Sequence, residues 1–151
     1  MKILMVCLGN ICRSPLAEGI MQRKIEENGL PWKVDSAGTS SWHIGEPPDR
    51  RSIEVAKKHG IDIAAQRGRQ IRQEDLSEFD FIYAMDTSNF RDILKLANSP
   101  EQEEKVKLIL NETTPNEDNS VPDPYWDDDG FENVYQLLHR ACQKIIENNF
   151  K

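Results

Sequence analysis

The tightest constraint on this chain lies in its first fifteen residues, where an apolar run passes through a short polar loop straight into a helix start. Lys2–Cys7 is mostly Ile, Leu, Met and Val and is too short for a helix, so it reads as a buried strand. Ser14 followed by Pro15 is an N-cap followed by the first helical residue, and Gly29 stands ready to end the run. Leu16, Ile20 and Lys24, with Met21 and Ile25 beside them, define the face turned inward. A buried strand feeding an amphipathic helix is the opening half of a parallel crossover unit.

Further strand patterns fall at residues 32–36, 79–85 and 106–110. Helical patterns alternate with them: Asp49 to His59-Gly60, with Ile53 and Ala56 spaced for burial, then residues 88–98, stopping before Pro100. A last helix runs from Phe131 to about Asn148, with Val134, Leu138, Ala141, Cys142 and Ile145 on its docking face. This alternation predicts an α/β three-layer fold, a parallel sheet with helices on both faces and right-handed crossovers. No repeat or linker divides the 151 residues, so one domain over residues 1–151 is expected. Residues 111–129, rich in Asn, Asp, Glu and Pro, read as a long loop, of a length that in a compact domain is usually functional or disordered.

Composition narrows the function. A formal charge of −7 argues against a nucleic-acid partner, whose phosphates need a basic surface. No apolar run approaches the ~20 residues that span a bilayer, and the N-terminus turns polar too soon for a signal peptide. Three cysteines without an export signal point to free thiols in a reducing compartment, so a cytoplasmic location is expected.

Cys7-Leu8-Gly9-Asn10-Ile11-Cys12-Arg13-Ser14 lies between the first strand and the first helix, where ligands bind in open α/β sheets. Gly9 and Asn10 are residue types that readily take positive φ, which lets successive N–H groups turn to one centre. The helix N-terminus adds partial positive charge, and Arg13 offers a two-pronged contact to phosphate oxygens. Donors that attract a phosphate dianion also hold a thiolate, which makes Cys7 the candidate nucleophile and gives Ser14 a hydroxyl to offer its sulfur. A Cys7 on its own would be an ordinary buried strand residue; its neighbours in register change that reading. Phosphoryl transfer also needs an acid. Val121-Pro122-Asp123-Pro124-Tyr125-Trp126 supplies Asp123 between two prolines, and Tyr125 and Trp126 as aromatic walls. The Asp127-Asp128-Asp129 run reads as a solvated face or a helix cap.

At these residues the chain resembles the low-molecular-weight protein tyrosine phosphatases over nearly its whole length. The resemblance rests on the C-x5-R-S loop at the first strand and on Asp123-Pro124-Tyr125. Asp35-Ser36-Ala37-Gly38-Thr39, Ser41-Trp42 and Ala84-Met85-Asp86-Thr87-Ser88-Asn89 extend it. It implies a four-stranded parallel sheet and a two-step hydrolysis of phosphotyrosine on a protein or peptide, without metal or other cofactor, releasing inorganic phosphate. Cys7 would form a cysteinyl-phosphate, Arg13 stabilise the equatorial oxygens, and Asp123 serve as acid and then base. Asn10 would shape the loop, with Asp86 and Ser36 as support. Leu8, Ile11, Trp42, Tyr125 and Trp126 would wall the pocket, and Cys12 would form a reversible disulfide with Cys7 under peroxide. Gln66 stands where many members carry a histidine that bonds the loop asparagine, and a glutamine amide is expected to bond Asn10 in its place.

Rival readings remain. An arsenate reductase of this fold needs relay thiols after the third strand, and residues 83–100 contain none. Phosphoarginine phosphatases of the family tend to carry a small threonine at the position of Ile11. A non-catalytic phosphate-binding module would need neither Cys7 nor a stiffened Asp123. A zinc site is disfavoured because no histidine near Cys7 and Cys12 completes a tetrahedral set. His43 could touch substrate at the rim, and Arg67-Gly68-Arg69-Gln70-Ile71-Arg72 reads as solvated surface. The expected state is a monomer, or weak self-association through the Trp42–Tyr125–Trp126 patch.

Overall fold

Alternation along one strand sets the layering of the molecule, whose computed structural model describes residues 1–126 and 129–149. In β1 (Lys2–Cys7), Ile3, Met5 and Cys7 turn to one side of the sheet and Leu4 and Val6 to the other, all buried. A strand apolar on both faces must be covered on both. The first side packs against α1 (Arg13–Glu27), α2 (Arg50–Lys58) and α6 (Gly130–Asn149). The second packs against α3 (Asp75–Glu78) and α4 (Thr87–Leu94), through Leu76 and Ile93. The expected three-layer α/β arrangement is therefore present.

The sheet is parallel and four-stranded in the order β2-β1-β3-β4, with β2 at Lys33–Gly38, β3 at Phe81–Ala84 and β4 at Val106–Leu108. From β1 the chain crosses outward to β2, then returns past β1 to β3. The crossovers thus diverge at the carboxyl end of β1, opening a crevice above the loop that follows it.

Several boundaries differ from the sequence pattern, each for a physical reason. Strand β4 ends at Leu108, where a 3₁₀ turn, Ile109–Glu112, takes over. Helix α4 begins at Thr87 because Asp86 caps it, accepting from Asn89 N–H at 2.7 Å, and it ends at Leu94. Pro100 starts a helix rather than stopping one: it is the first residue of α5 (Pro100–Lys105), capped by Ser99 accepting from Gln102 N–H at 3.2 Å. Helix α1 starts at Arg13 with no side-chain cap, so Ser14 is not its N-cap; its hydroxyl turns to Cys7 instead. Gly29, at φ +60°, does follow the end of α1.

Lys24 is buried on the inward face of α1, where its Nζ donates to Gln143 Oε1 at 3.0 Å. On α6, Val134, Leu138, Ala141, Cys142 and Ile145 all face the core. The long acidic loop is pinned in the middle: Val121 is buried and its N–H donates to Met85 O at 2.8 Å. That bond, with Thr87 N–H on Ser120 Oγ at 3.3 Å, ties the loop to the segment after β3, next to Asp123 at the crevice. Of the Asp127-Asp128-Asp129 run, Asp127 and Asp128 lie outside the described residues. No helix among the described residues is long and apolar enough to cross a membrane.

Candidate active site

The loop after β1 is held from outside through its carbonyls. Thr39 N–H donates to Cys7 O at 2.9 Å, Ser40 N–H to Leu8 O at 3.0 Å, and Asp49 N–H to Ile11 O at 2.7 Å, while the Ser52 hydroxyl donates to Cys12 O at 3.1 Å. Carbonyls tied outward leave peptide N–H groups to face the centre, and Asn10 N–H points at Cys7 Sγ from 3.3 Å. Asn10 adopts φ +58°, which places its N–H there. Gly9 does not have positive φ; a Cβ on it would lie 3.0 Å from His43 Cδ2, so a larger residue there would press on that ring and make it shift by a few tenths of an ångström.

Side chains fix the loop from within. Asn10 Nδ2 donates to Ser14 Oγ at 2.8 Å and to Ser36 Oγ at 3.0 Å, and Asn10 Oδ1 accepts from Arg69 N–H at 3.0 Å. Ser14 Oγ lies 3.0 Å from Cys7 Sγ. Both amide hydrogens of Asn10 are used, and Ser14 Oγ, which accepts one of them, lies closer to the sulfur than to Ala37 O, its other partner at 3.5 Å. Gln66 takes no part: its Nε2 donates to Pro15 O at 3.1 Å, and Asn10 is supported by Ser36 and the Arg69 backbone instead. The expected Gln66–Asn10 bond is corrected accordingly. Arg69 reaches Asn10 because residues around Gln70 pair with the end of β2, Gly38 N–H donating to Arg69 O at 2.8 Å.

That basic cluster is not merely solvated surface. Arg69 Nη1 bonds Asp75 Oδ2 at 3.0 Å and its Nη2 lies 3.1 Å from Asp35 Oδ2; Asp75 is fully buried. Burial opposes the Arg69 charge, but the two carboxylates outweigh it and raise its pKa.

Arg13 is 3% exposed, with Nη1 donating to Asp86 Oδ2 at 2.8 Å and to Val121 O at 3.0 Å. Burial alone favours neutral guanidine, but Cys7, Asp86 and Asp123 together hold the cation and raise its pKa further. Its Nη2 lies 3.8 Å from Asp123 Oδ2. Asp123 accepts from Tyr125 N–H at 3.1 Å, a turn that starts the 3₁₀ segment Pro124–Trp126. Burial, then the charges of Asp49, Cys7 and Asp123, push the Cys12 thiol up to about 12, so it stays protonated at neutral pH.

Cys7, Leu8, Gly9, Ile11, Cys12 and Arg13 floor a cleft of about 300 Å³. Its rim is made by Asp123, Tyr125, Trp126, Trp42 and His43. Trp42 is 70% exposed and Trp126 90%, and Tyr125 meets Trp126 edge-on at 4.8 Å. Asn10 and Ser14 lie beneath the cleft rather than in its lining. Sequence reasoning missed three contributors: Arg69, whose useful group is a backbone N–H; Val121, whose carbonyl orients Arg13; and Arg51, whose Nη2 donates to Tyr125 O at 2.9 Å and whose guanidinium stands 5.5 Å from the Tyr125 ring centre. Backbone groups carry no residue-type signal, and Arg51 is far from Tyr125 in sequence.

Gly38 is where the sheet meets this loop, and a Cβ there would fall 2.8 Å from Leu8 O and 3.2 Å from Asn10 N. Gly38→Ala is expected to cost about 1–3 kcal/mol and to displace the loop. Thermal melting and the binding of phosphate in the cleft should therefore fall together, and unchanged binding would show that the loop tolerates the shift.

Comparison with known proteins gives the family. Residues 2–150 match the family described as low molecular weight phosphotyrosine protein phosphatase. A Synechocystis protein carrying the same family name is 49% identical over 149 residues, 97% of this chain and 94% of its own length. A crystal structure of a protein tyrosine phosphatase from Entamoeba histolytica superposes with a TM-score of 0.91 at 36% identity, covering 98% of this chain and 96% of that one. A Drosophila arginine phosphatase superposes with a TM-score of 0.92 at 34% identity, covering 100% and 99%. The chain belongs to the low molecular weight phosphotyrosine protein phosphatases, a family of phosphoric monoester hydrolases.

Proposed function

We propose that this chain hydrolyses phosphotyrosine in a protein or peptide through a cysteinyl-phosphate on Cys7. The observation that carries the reading is the convergence of Cys7 Sγ, a buried and doubly anchored Arg13, and Asp123 on one cleft. Cys7 attacks phosphorus as the bond to the tyrosine oxygen breaks, and that oxygen takes the proton of Asp123. Arg13 and the loop N–H groups hold the equatorial oxygens. Asp123, now a carboxylate, takes a proton from water as the water attacks phosphorus, and the P–S bond breaks to release phosphate and the Cys7 thiolate.

Ile11, Trp42, Tyr125 and Trp126 favour an aromatic leaving group, because flat apolar walls gain most from burying a ring. Similarity to the Drosophila arginine phosphatase keeps phosphoarginine as a second reading. Phosphate release from a phosphotyrosyl and a phosphoarginyl peptide, measured in chelator and thiol reductant, separates them. Turnover is expected for the first and to exceed the second; the reverse order would overturn the phosphotyrosine assignment.

A further inference from the structure

The hydrogen-bond chain behind the loop does not end at Ser36. The Ser36 hydroxyl donates to Glu18 Oε1 at 2.6 Å, so Glu18, Ser36, Asn10, Ser14 and Cys7 form one connected run. The cavity that Glu18 lines also holds an unmet acceptor. Gln66 Nε2 donates to Pro15 O, which fixes the direction of the amide, and Gln66 Oε1 is buried without a donor. Pro15 and Glu18 are three residues apart on α1 and share a face, and Glu18 and Gln66 line the same cavity of about 280 Å³. A buried acceptor without a donor is costly, and an ionised carboxylate cannot supply one, whereas a neutral carboxyl can.

We propose that Glu18 is a positioning residue that works in its protonated form, its O–H donating to Gln66 Oε1 while its other oxygen accepts from Ser36. Ser36 is thereby held as the acceptor for Asn10, and Asn10 in turn directs the Ser14 hydroxyl to Cys7. Burial supports the neutral form, pushing Glu18 up to about 7; the Ser36 bond opposes this, Asp35 adds to it and Arg69 opposes it. Arg23 and Glu26 of its own helix and Asp62 beyond α2 complete the charged groups around that cavity. Because the folded pKa lies above the usual value of 4.5, the folded chain keeps between about pH 4.5 and 7 a proton that the unfolded chain has lost; the stabilisation is complete below that window and is lost as pH rises through it. Ionisation also sets a negative charge behind a loop that must take up a dianion, so loss of the proton and loss of activity run in the same direction.

Glu18→Gln replaces the O–H by a permanent N–H donor and keeps a carbonyl for Ser36. Wild type, Glu18→Gln and Glu18→Ala are compared from pH 5.5 to 8.5, by melting temperature without substrate and by kcat/KM on a phosphotyrosyl peptide. Glu18→Gln is expected to match wild type in kcat/KM at pH 5.5 and to exceed it by about three- to tenfold at pH 8.5, while the lead of its melting temperature over wild type widens by about 2–4 °C between the two pH values. Glu18→Ala falls below both at every pH. A Glu18→Gln variant that follows the wild-type pH profile, or that drops with Glu18→Ala at pH 5.5, overturns the assignment. Gln66→Leu gives an independent check by removing the acceptor: the fall in melting temperature between pH 5.5 and 8.5 should shrink, and an unchanged fall counts against the proposal. The kcat/KM comparison rests on the phosphatase reading and the melting comparison does not, so the expected melting profile without turnover would count against that reading alone.

Discussion

Cys7→Ser is expected to reduce turnover of a phosphotyrosyl peptide by on the order of 10⁵-fold or more, while phosphate continues to bind and raise the melting temperature. The reason lies in what surrounds the sulfur. Asn10 N–H donates toward it at 3.3 Å, and the Ser14 hydroxyl lies 3.0 Å from it, able to donate to a thiolate. Donors stabilise an anion but cannot take a proton, so a serine hydroxyl placed there has no base to activate it. The phosphate-holding parts are untouched, because Arg13 is fixed by Asp86 and Val121 rather than by the cysteine. Steady-state kinetics beside a phosphate-dependent melting series checks both halves. More than a trace of turnover in the variant would rule out the covalent route, and lost phosphate binding would show that the substitution had disturbed the loop.

Asp123→Ala is expected to lower turnover of a phosphotyrosyl peptide by about 10²–10³-fold, and that of a nitrophenyl phosphate by roughly tenfold or less. Tyrosine departs as a phenoxide of pKa about 10 and needs a proton in the transition state, whereas a nitrophenol leaves readily without one. The position of Asp123 permits this role: its side chain is 45% exposed at the rim and 3.8 Å from Arg13 Nη2, over the cleft rather than in the supporting layer. The loop carrying it is set by Val121 N–H on Met85 O at one end and by Arg51 on Tyr125 O at the other. Equal losses on the two substrates would deny Asp123 the acid role and leave it as a wall of the cleft.

Legibility in the sequence followed the range of the interactions. The β1–loop–α1 junction was readable because each part rests on neighbours in the chain: an apolar strand, an asparagine at positive φ, a helix start. The docking face of α6 was readable for the same reason, since helical spacing is a local property. Pro100 misled because the same residue ends one helix and begins another, and only the Ser99 cap decides between them. Ser14 misled because a good capping residue was drawn away by a contact seven positions earlier. Gln66 misled because its reach depends on how the segment after α2 lies on α1, which places its amide on Pro15 O rather than on Asn10.

What the sequence by itself determined, then, is the strand-and-helix alternation, the gathering of Cys7, Asn10, Arg13 and Ser14 in one strand-to-helix loop, and an aspartate between two prolines late in the chain. Those follow from backbone preference and side-chain type over a few residues. Tertiary structure alone decided that Arg13 is aimed by Asp86 and by the Val121 carbonyl, 73 and 108 positions away, that Asn10 is held by a backbone N–H of Arg69, and that Glu18 closes the chain of hydrogen bonds behind Cys7. Such contacts form only when the strand order brings distant segments to one end of the sheet, and local residue patterns carry no record of which segments will meet there.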